Sequence, residues 1–437
     1  MQRFDCCLIA ATVVLVLAVP LQSSASPLSL REAVSRAVAN NPSLAEARIA
    51  VTVAEKQLEG AVGRHYPRLS LEASITKRSE STAFVPAQSA TIAPRFSDSY
   101  AFLGPVLTLP IYKGGQTRTG VQLAELRHSM QQDSAVITRN ELIANTVATY
   151  HKCLQLQVLV EASGQAVQAL AEQQKNARLL FELGRIARVD LLKVEVQGVN
   201  EEQRLLALQE GVKNAMSSLR ALMGEVLEQD TDPLQLSDRL GQAAQKTDFK
   251  AGLALARSKP KFQIIAKAVD DAALNRRLAL GKLLPSLTAT AGYQQQVGFN
   301  PHYSDGIWYL GASLSLPVFD RSSYADLSRE RLQQQRAEQK LRAADNQLRL
   351  DLQRASASLV ESSKRIAATA KAVEQSRESF RIEQEKYGQG VGIMADLLLA
   401  QSAEAQAVAN NTQALFDYTI AQLEWHKASG DMEVYLR

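Results

Sequence analysis

The chain has 437 residues, with 49 Lys+Arg against 45 Asp+Glu for a net charge of +4, and 46% hydrophobic but only 5% aromatic residues. So small and evenly spread a charge excess excludes the clustered basic face of a nucleic-acid binder, and the scarcity of aromatic bulk argues against one large globular core.

In chain order, residues 1–25 read as a signal peptide. Arg3 gives a basic start, Leu8 to Val19 an apolar run, and Ser23-Ser24-Ala25 a small-residue cleavage site. Cys6 and Cys7 lie before the apolar run and leave with it, so Cys153 has no partner for a disulfide in the mature chain. An exported protein without disulfides depends on packing or oligomerisation. No later stretch approaches the length of a membrane-spanning helix. These features leave a periplasmic or secreted protein, or an outer-membrane β-barrel.

The remainder reads as one pattern written twice. Pro42 and Pro67 recur as Pro260 and Pro285 at an offset of 218, and Pro110 as Pro317 at 207. Phe181, Gly184, Asp190 and Gly224 recur as Tyr387, Gly390, Asp396 and Gly430 at 206. The slip falls between the second and third landmarks, which predicts a longer hairpin loop in the first half. The first repeat, 26–224, opens on a capping box of Ser29 and Glu32, with a helical break at Asn41-Pro42. A β-hairpin over about 68–109 follows: Leu69, Leu71, Ala73 and Ile75 alternate with polar residues, 79–99 reads as a loop, and Ala101, Leu103, Leu107 and Leu109 alternate again. A long helix over 115–183, a turn, and a helix over 188–224 complete the repeat.

Residues 225–250 read as a linker between repeats. The second repeat, 251–430, carries a hairpin over about 286–316 with a loop at 295–306, a long helix over 322–387 and a helix over 393–428. Residues 431–437 form a tail. Each long helix of nearly 70 residues spans about 100 Å. Leu352, Leu359, Ile366, Val373, Phe380 and Tyr387 recur every seven residues, beside a small-residue line of Ala355, Ser362, Thr369 and Ser376. That period implies left-handed supercoiling with close packing.

Four strands of about ten residues have the length of outer-membrane barrel strands. Four cannot close a barrel, and lipid does not tolerate an open edge, so strands in a membrane require chains to share one barrel. Two chains supply eight strands and three supply twelve; a conducting tube favours three. Heptads and alternating strands also occur in periplasmic adaptors and fibrous surface proteins, so periodicity alone leaves both architectures open.

Specific residues carry a resemblance. The run Leu28 to Leu44 (LSLREAVSRAVANNPSL) resembles the opening signature of the TolC-like outer-membrane efflux proteins. So do Tyr66-Pro67-Arg68-Leu69 and Leu284-Pro285-Ser286-Leu287 where each hairpin begins, and Leu109-Pro110 to Gly115 and Leu316-Pro317 to Asp320 where it returns to helix. Phe181 to Gly184 with Asp190, and Tyr387 to Gly390 with Asp396, are similar to that family's helix-turn-helix tips. The resemblance implies a mainly α fold with a small membrane β-barrel contribution: a homotrimer whose shared twelve-stranded barrel continues into a long periplasmic α-helical barrel. It further implies an exit duct of a tripartite efflux or type I secretion system in the outer membrane of a Gram-negative bacterium. Such a duct docks to a periplasmic adaptor and an inner-membrane pump of RND or ABC type, and it needs no cofactor and performs no catalysis. The alternative is a periplasmic coiled-coil adaptor of such a pump; the two separate hairpins count against it.

Three groups of site residues follow. Pro67, Pro110, Pro285 and Pro317 are expected at the hinges between barrel and tunnel, where fixed φ and a missing donor punctuate helix and strand. Gly184, Arg185, Ile186 and Arg188 on one tip, with Gly390, Val391, Ile393 and Met394 on the other, are the adaptor-docking surface the resemblance implies. Asp190 and Asp396 sit in the first turn of the helix after each tip, where carboxylates complement the helix dipole or, as a ring, narrow the tunnel entrance. Some relatives carry a second acid at the position of Leu399 and an arginine at that of Gly392. The histidines show no ligand spacing, and Gly388 to Gly392 follows a helix, unlike a nucleotide-binding loop.

Overall fold

The computed structural model describes residues 27–85, 93–226, 234–241 and 248–436. The expected signal peptide, part of the 79–99 loop, half of the 225–250 linker and the last residue of the tail lie outside them. The element order is α1 (Leu30–Asn40), α2 (Pro42–Gly63), β1 (Arg68–Val85), β2 (Arg95–Lys113), α3 (Gln116–Glu182) and α4 (Arg188–Leu222). The same order follows in α5 (Phe249–Ser258), α6 (Pro260–Gly281), β3 (Ser286–Phe299), β4 (His302–Ser315), α7 (Arg321–Gly388) and α8 (Met394–Ser429). A short 3-10 turn, Met432–Tyr435, ends the described chain. No helix among the described residues is long and apolar enough to cross a membrane.

The helices start and stop where local chemistry dictates. Ser29 accepts from the Glu32 N–H at 3.2 Å, the predicted cap of α1, and Asn41 caps α2 with Pro42 at its first position. The long helices have 67 and 68 residues. On α7 the heptad positions Leu352, Leu359 and Ile366 are buried, with Ala355 and Ser362 of the small-residue line. The shorter helices α2 and α4 pack on α3, and α6 and α8 pack on α7.

The main core lies midway along the long helices. Leu28, Ala33, Ala37, Leu142, Tyr150, Cys153, Leu219 and Met223 form one cluster; Val34, Ile143, Val147, Leu423 and Met432 form a second beside it. Part of the linker is built into this belt. Leu236 bridges Leu28 in parallel, Asp238 accepts from the Leu30 N–H at 2.8 Å, and the Tyr150 hydroxyl lies 2.7 Å from the same carboxylate oxygen.

The four strands form one antiparallel sheet in the order β1-β2-β3-β4. Pairing of β2 with β3 joins two hairpins that are far apart in sequence, and leaves β1 and β4 as its two edges. The strands exceed their expected lengths. Most of the described part of 79–99 is strand, and only Asn300 and Pro301 interrupt the ladder across 295–306. Both loop expectations are corrected: Ser, Thr and Gln satisfy an antiparallel ladder through their backbones without an apolar alternation to reveal it. Pro110 falls inside β2, not at its end. The register slips between Pro110 and Tyr112, where a bulge accommodates a residue lacking a donor within a central strand.

Candidate functional site

The two faces of the sheet differ in kind. One carries Leu69, Leu71, Ala73 and Ile75 of β1, Leu103, Leu107 and Leu109 of β2, Leu287 to Tyr293 at alternate positions of β3, and Trp308, Leu310 and Leu314 of β4. On the edge strands these side chains are open to the surroundings: Leu71 is 73% exposed, Ile75 75%, Trp308 77% and Leu310 74%. From Trp308 to Leu314 the band runs about 20 Å along the strand at ~3.4 Å per residue. The Tyr293–Trp308 pair and Phe299 flank it toward the hairpin turns, and Tyr112 flanks it toward the helices. Outward apolar bands between aromatic girdles characterise strands in lipid.

The opposite face is built in rows across all four strands. The first is Arg68, Thr108, Thr290 and Gly311, and the next Ser70, Val106, Gly292 and Tyr309. Farther from the helices come Ser74, Phe102, Gln296 and Asp305, then Thr76, Tyr100, Gly298 and Tyr303. Hydroxyls, amides and glycines suit a wetted surface. Gly292 has a packing reason to lack a side chain, since a Cβ there would lie 2.7 Å from the Tyr309 ring.

At the far end of the long helices, α3 and α7 terminate identically. Gly184 and Gly390 adopt φ of 68° and 76°, left-handed values that favour glycine. The Arg185 N–H donates to the Leu180 carbonyl at 2.8 Å and the Val391 N–H to the Lys386 carbonyl at 3.0 Å, the six-to-one bond of a Schellman turn. Gly392 closes the second turn tightly: a Cβ there would meet the Tyr387 backbone nitrogen at 2.9 Å, which leaves no room for arginine.

Of the expected docking residues, Val391 and Ile393 are exposed, as are Arg185 and Arg188. Met394 is a correction. It opens α8 but is only 4% exposed, packed in a tip core with Ala177, Leu191, Val194 and Leu397. Ile186 lies half-buried against the same core. The Asp190 carboxylate pairs with Lys193 at 3.2 Å, whereas Asp396 is exposed with no ion pair among the described residues. Pro67 and Pro285 each immediately precede a strand, and Pro317 follows β4 by two residues.

Sequence reasoning gave Tyr387 a seam position and a place in the tip motif, but no contact with the other tip. Its hydroxyl is buried without a hydrogen-bond partner among the described residues, and its pKa is raised by burial and then by the charge of Asp190. The structure therefore brings the end of α7 against the first turn of α4. Sequence reasoning also missed the cluster of Phe84, Val85 and Tyr100, because Phe84 fell within an expected loop.

The family described as outer membrane efflux protein matches residues 33–225 and 252–431. The outer membrane efflux protein BepC of Brucella suis biovar 1 is 24% identical over 435 residues, covering 97% of this chain and 90% of that one. The outer membrane protein VceC of Vibrio cholerae superposes with a TM-score of 0.77 at 19% identity, covering 92% of this chain and 96% of its own. The MtrE outer membrane channel of Neisseria gonorrhoeae, in its open state, gives 0.76 at 18% identity, covering 92% and 88%.

Proposed function

The chain belongs to the outer membrane efflux protein family and is the outer-membrane exit duct of an efflux system; on that premise, we propose that it works as a homotrimer whose sheets close a twelve-stranded barrel. The periplasmic-adaptor alternative is withdrawn on the family match. The observation that carries the trimer is the four-stranded sheet itself, apolar and exposed on one face, polar on the other, with two unpaired edges. Lipid satisfies the apolar face but not the edges, so β4 of one copy pairs with β1 of the next until the ring closes. The long helices then continue the barrel through the periplasm as a tunnel.

Pro67, Pro285 and Pro317 punctuate the passage from barrel to tunnel, with Pro110 at the bulge inside β2. The tips offer Gly184, Arg185, Arg188, Gly390, Val391 and Ile393 to a periplasmic adaptor, and Asp190 and Asp396 line the entrance. The pump at the inner membrane, of RND or ABC type, supplies the energy, and the duct supplies a wetted path. Light scattering on the detergent-solubilised outer-membrane protein, corrected for detergent, tests the reading. A particle of three chains is expected. A monomer in the soluble periplasm would overturn it.

A further inference from the structure

We propose that the end of β1, Thr82 to Val85, is a strap folded across the lumen-facing side of the sheet, making the outer mouth of the duct a constriction in its own right. This rests on the trimeric duct reading.

The strap has a socket. Tyr100, Gly298 and Tyr303 share one row on the polar face. After register irregularities between Lys77 and Thr82 and between Ala83 and Val85, Phe84 turns onto that row. Its ring stacks on Tyr100 at 5.6 Å and 11°, and meets Tyr303 edge-on at 6.4 Å. Gly298 is the notch between the two tyrosines, where a Cβ would lie 2.7 Å from Phe84 Cζ. Phe84, Val85 and Tyr100 are buried, although the lipid-facing residues of the same strands are open.

Cations clamp the socket from both sides. The Arg95 guanidinium stands 4.3 Å from the Tyr303 ring centre, and that of Arg78 stands 5.9 Å from Tyr100. The Asn300 N–H donates to Ser97 Oγ at 3.2 Å, tying the start of β2 to the turn between β3 and β4. Working against closure, Thr82 Oγ1, Asp98 Oδ1 and Gln296 Oε1 are buried without partners among the described residues. Their penalty is relieved when water reaches them, so beyond the backbone pairing of Thr82, Ala83 and Val85 with Ser97, Phe96 and Arg95, the side chains that hold the strap down are its rings and guanidinium groups. Three such straps at one level of a trimer narrow the exit at the end opposite the tips.

The test places a thiol under the strap with Val85→Cys. The other cysteine of the mature chain, Cys153, is buried, with its thiol pKa pushed up to about 12. Labelling by a membrane-impermeant maleimide in the reconstituted trimer then reports how often the strap lifts. Adding Phe84→Ala or, from another strand, Gly298→Ala should speed labelling by about tenfold, the order expected from losing one stacked ring pair with its burial. Each change should also raise single-channel conductance. Fast labelling of Val85→Cys alone, or conductance and labelling unmoved by both further changes, overturns the strap while leaving the duct standing. A wild-type protein that forms no three-chain channel overturns both, and the mass measurement reports that separately.

Discussion

Tyr150 and His151 are neighbours on α3, and burial moves their pKa values in opposite directions. For Tyr150, desolvation penalises the phenolate and raises the pKa, and the hydrogen bond and charge of Asp238 add to it. For His151, desolvation penalises the imidazolium and lowers the pKa to about 4, opposed by the charge of Asp238. Between the ordinary value of 6.5 and 4, the unfolded chain binds a proton that the folded chain refuses. Stability owed to His151 is therefore complete above pH 6.5, falls as pH drops, and levels off near pH 4, a loss of roughly 3 kcal/mol in all. Denaturant unfolding at pH 7 and pH 5 should show a wild-type decrease of about 2 kcal/mol from this residue that His151→Leu lacks. An identical decrease in both would remove His151 as the cause. At this scale the sequence was partly legible. Gly184 and Gly390 announce their turns because only a left-handed cap explains glycine after a long helix. Met394 could not be sorted from Ile393, because both are apolar and only the tip core decides which one points inward.

The sheet shows what periodicity can and cannot report. Alternation at 69–75 and 308–314 marked two strands and their apolar face, since one face must contact something other than water. It could not mark where the strands end: Thr82 and Asp305 join the ladder through their backbones, whatever their side chains. Pairing of β2 with β3 was likewise invisible, because it is a contact between distant segments and no local signal encodes it. The helices were easier to read, as Pro42, Pro260 and the tip glycines punctuate them. The two faces predict different tolerances. Leu310→Arg, on the apolar face, should cost about 2–4 kcal/mol in folding into lipid vesicles followed by urea titration. Ser313→Arg, on the polar face of the same strand, should cost far less. Equal costs would mean that the faces do not meet lipid and water respectively.

For the whole molecule, the proposed entrance makes ion preference depend on how carboxylates at the tips are presented to the path. Asp190 has Lys193 at 3.2 Å to offset its charge, and Asp396 has no such neighbour among the described residues. Asp396→Asn should therefore reduce cation preference in single-channel recordings more than Asp190→Asn. The difference should shrink as salt shortens the screening length below about 10 Å. Selectivity unchanged by Asp396→Asn would take that residue out of the entrance. The rest of the duct follows from the sheet's two unlike edges. In the proposed ring each copy joins its neighbours head to tail, receiving on β1 and offering on β4. A copy spoiled on one edge alone is still recruited by the other, and it wastes the sound partners it captures. In a cell making equal amounts of sound and spoiled chains, only about one ring in eight is assembled wholly from sound copies. An edge lesion of this kind is therefore genetically dominant, whereas a lesion that stops the chain folding before assembly is recessive.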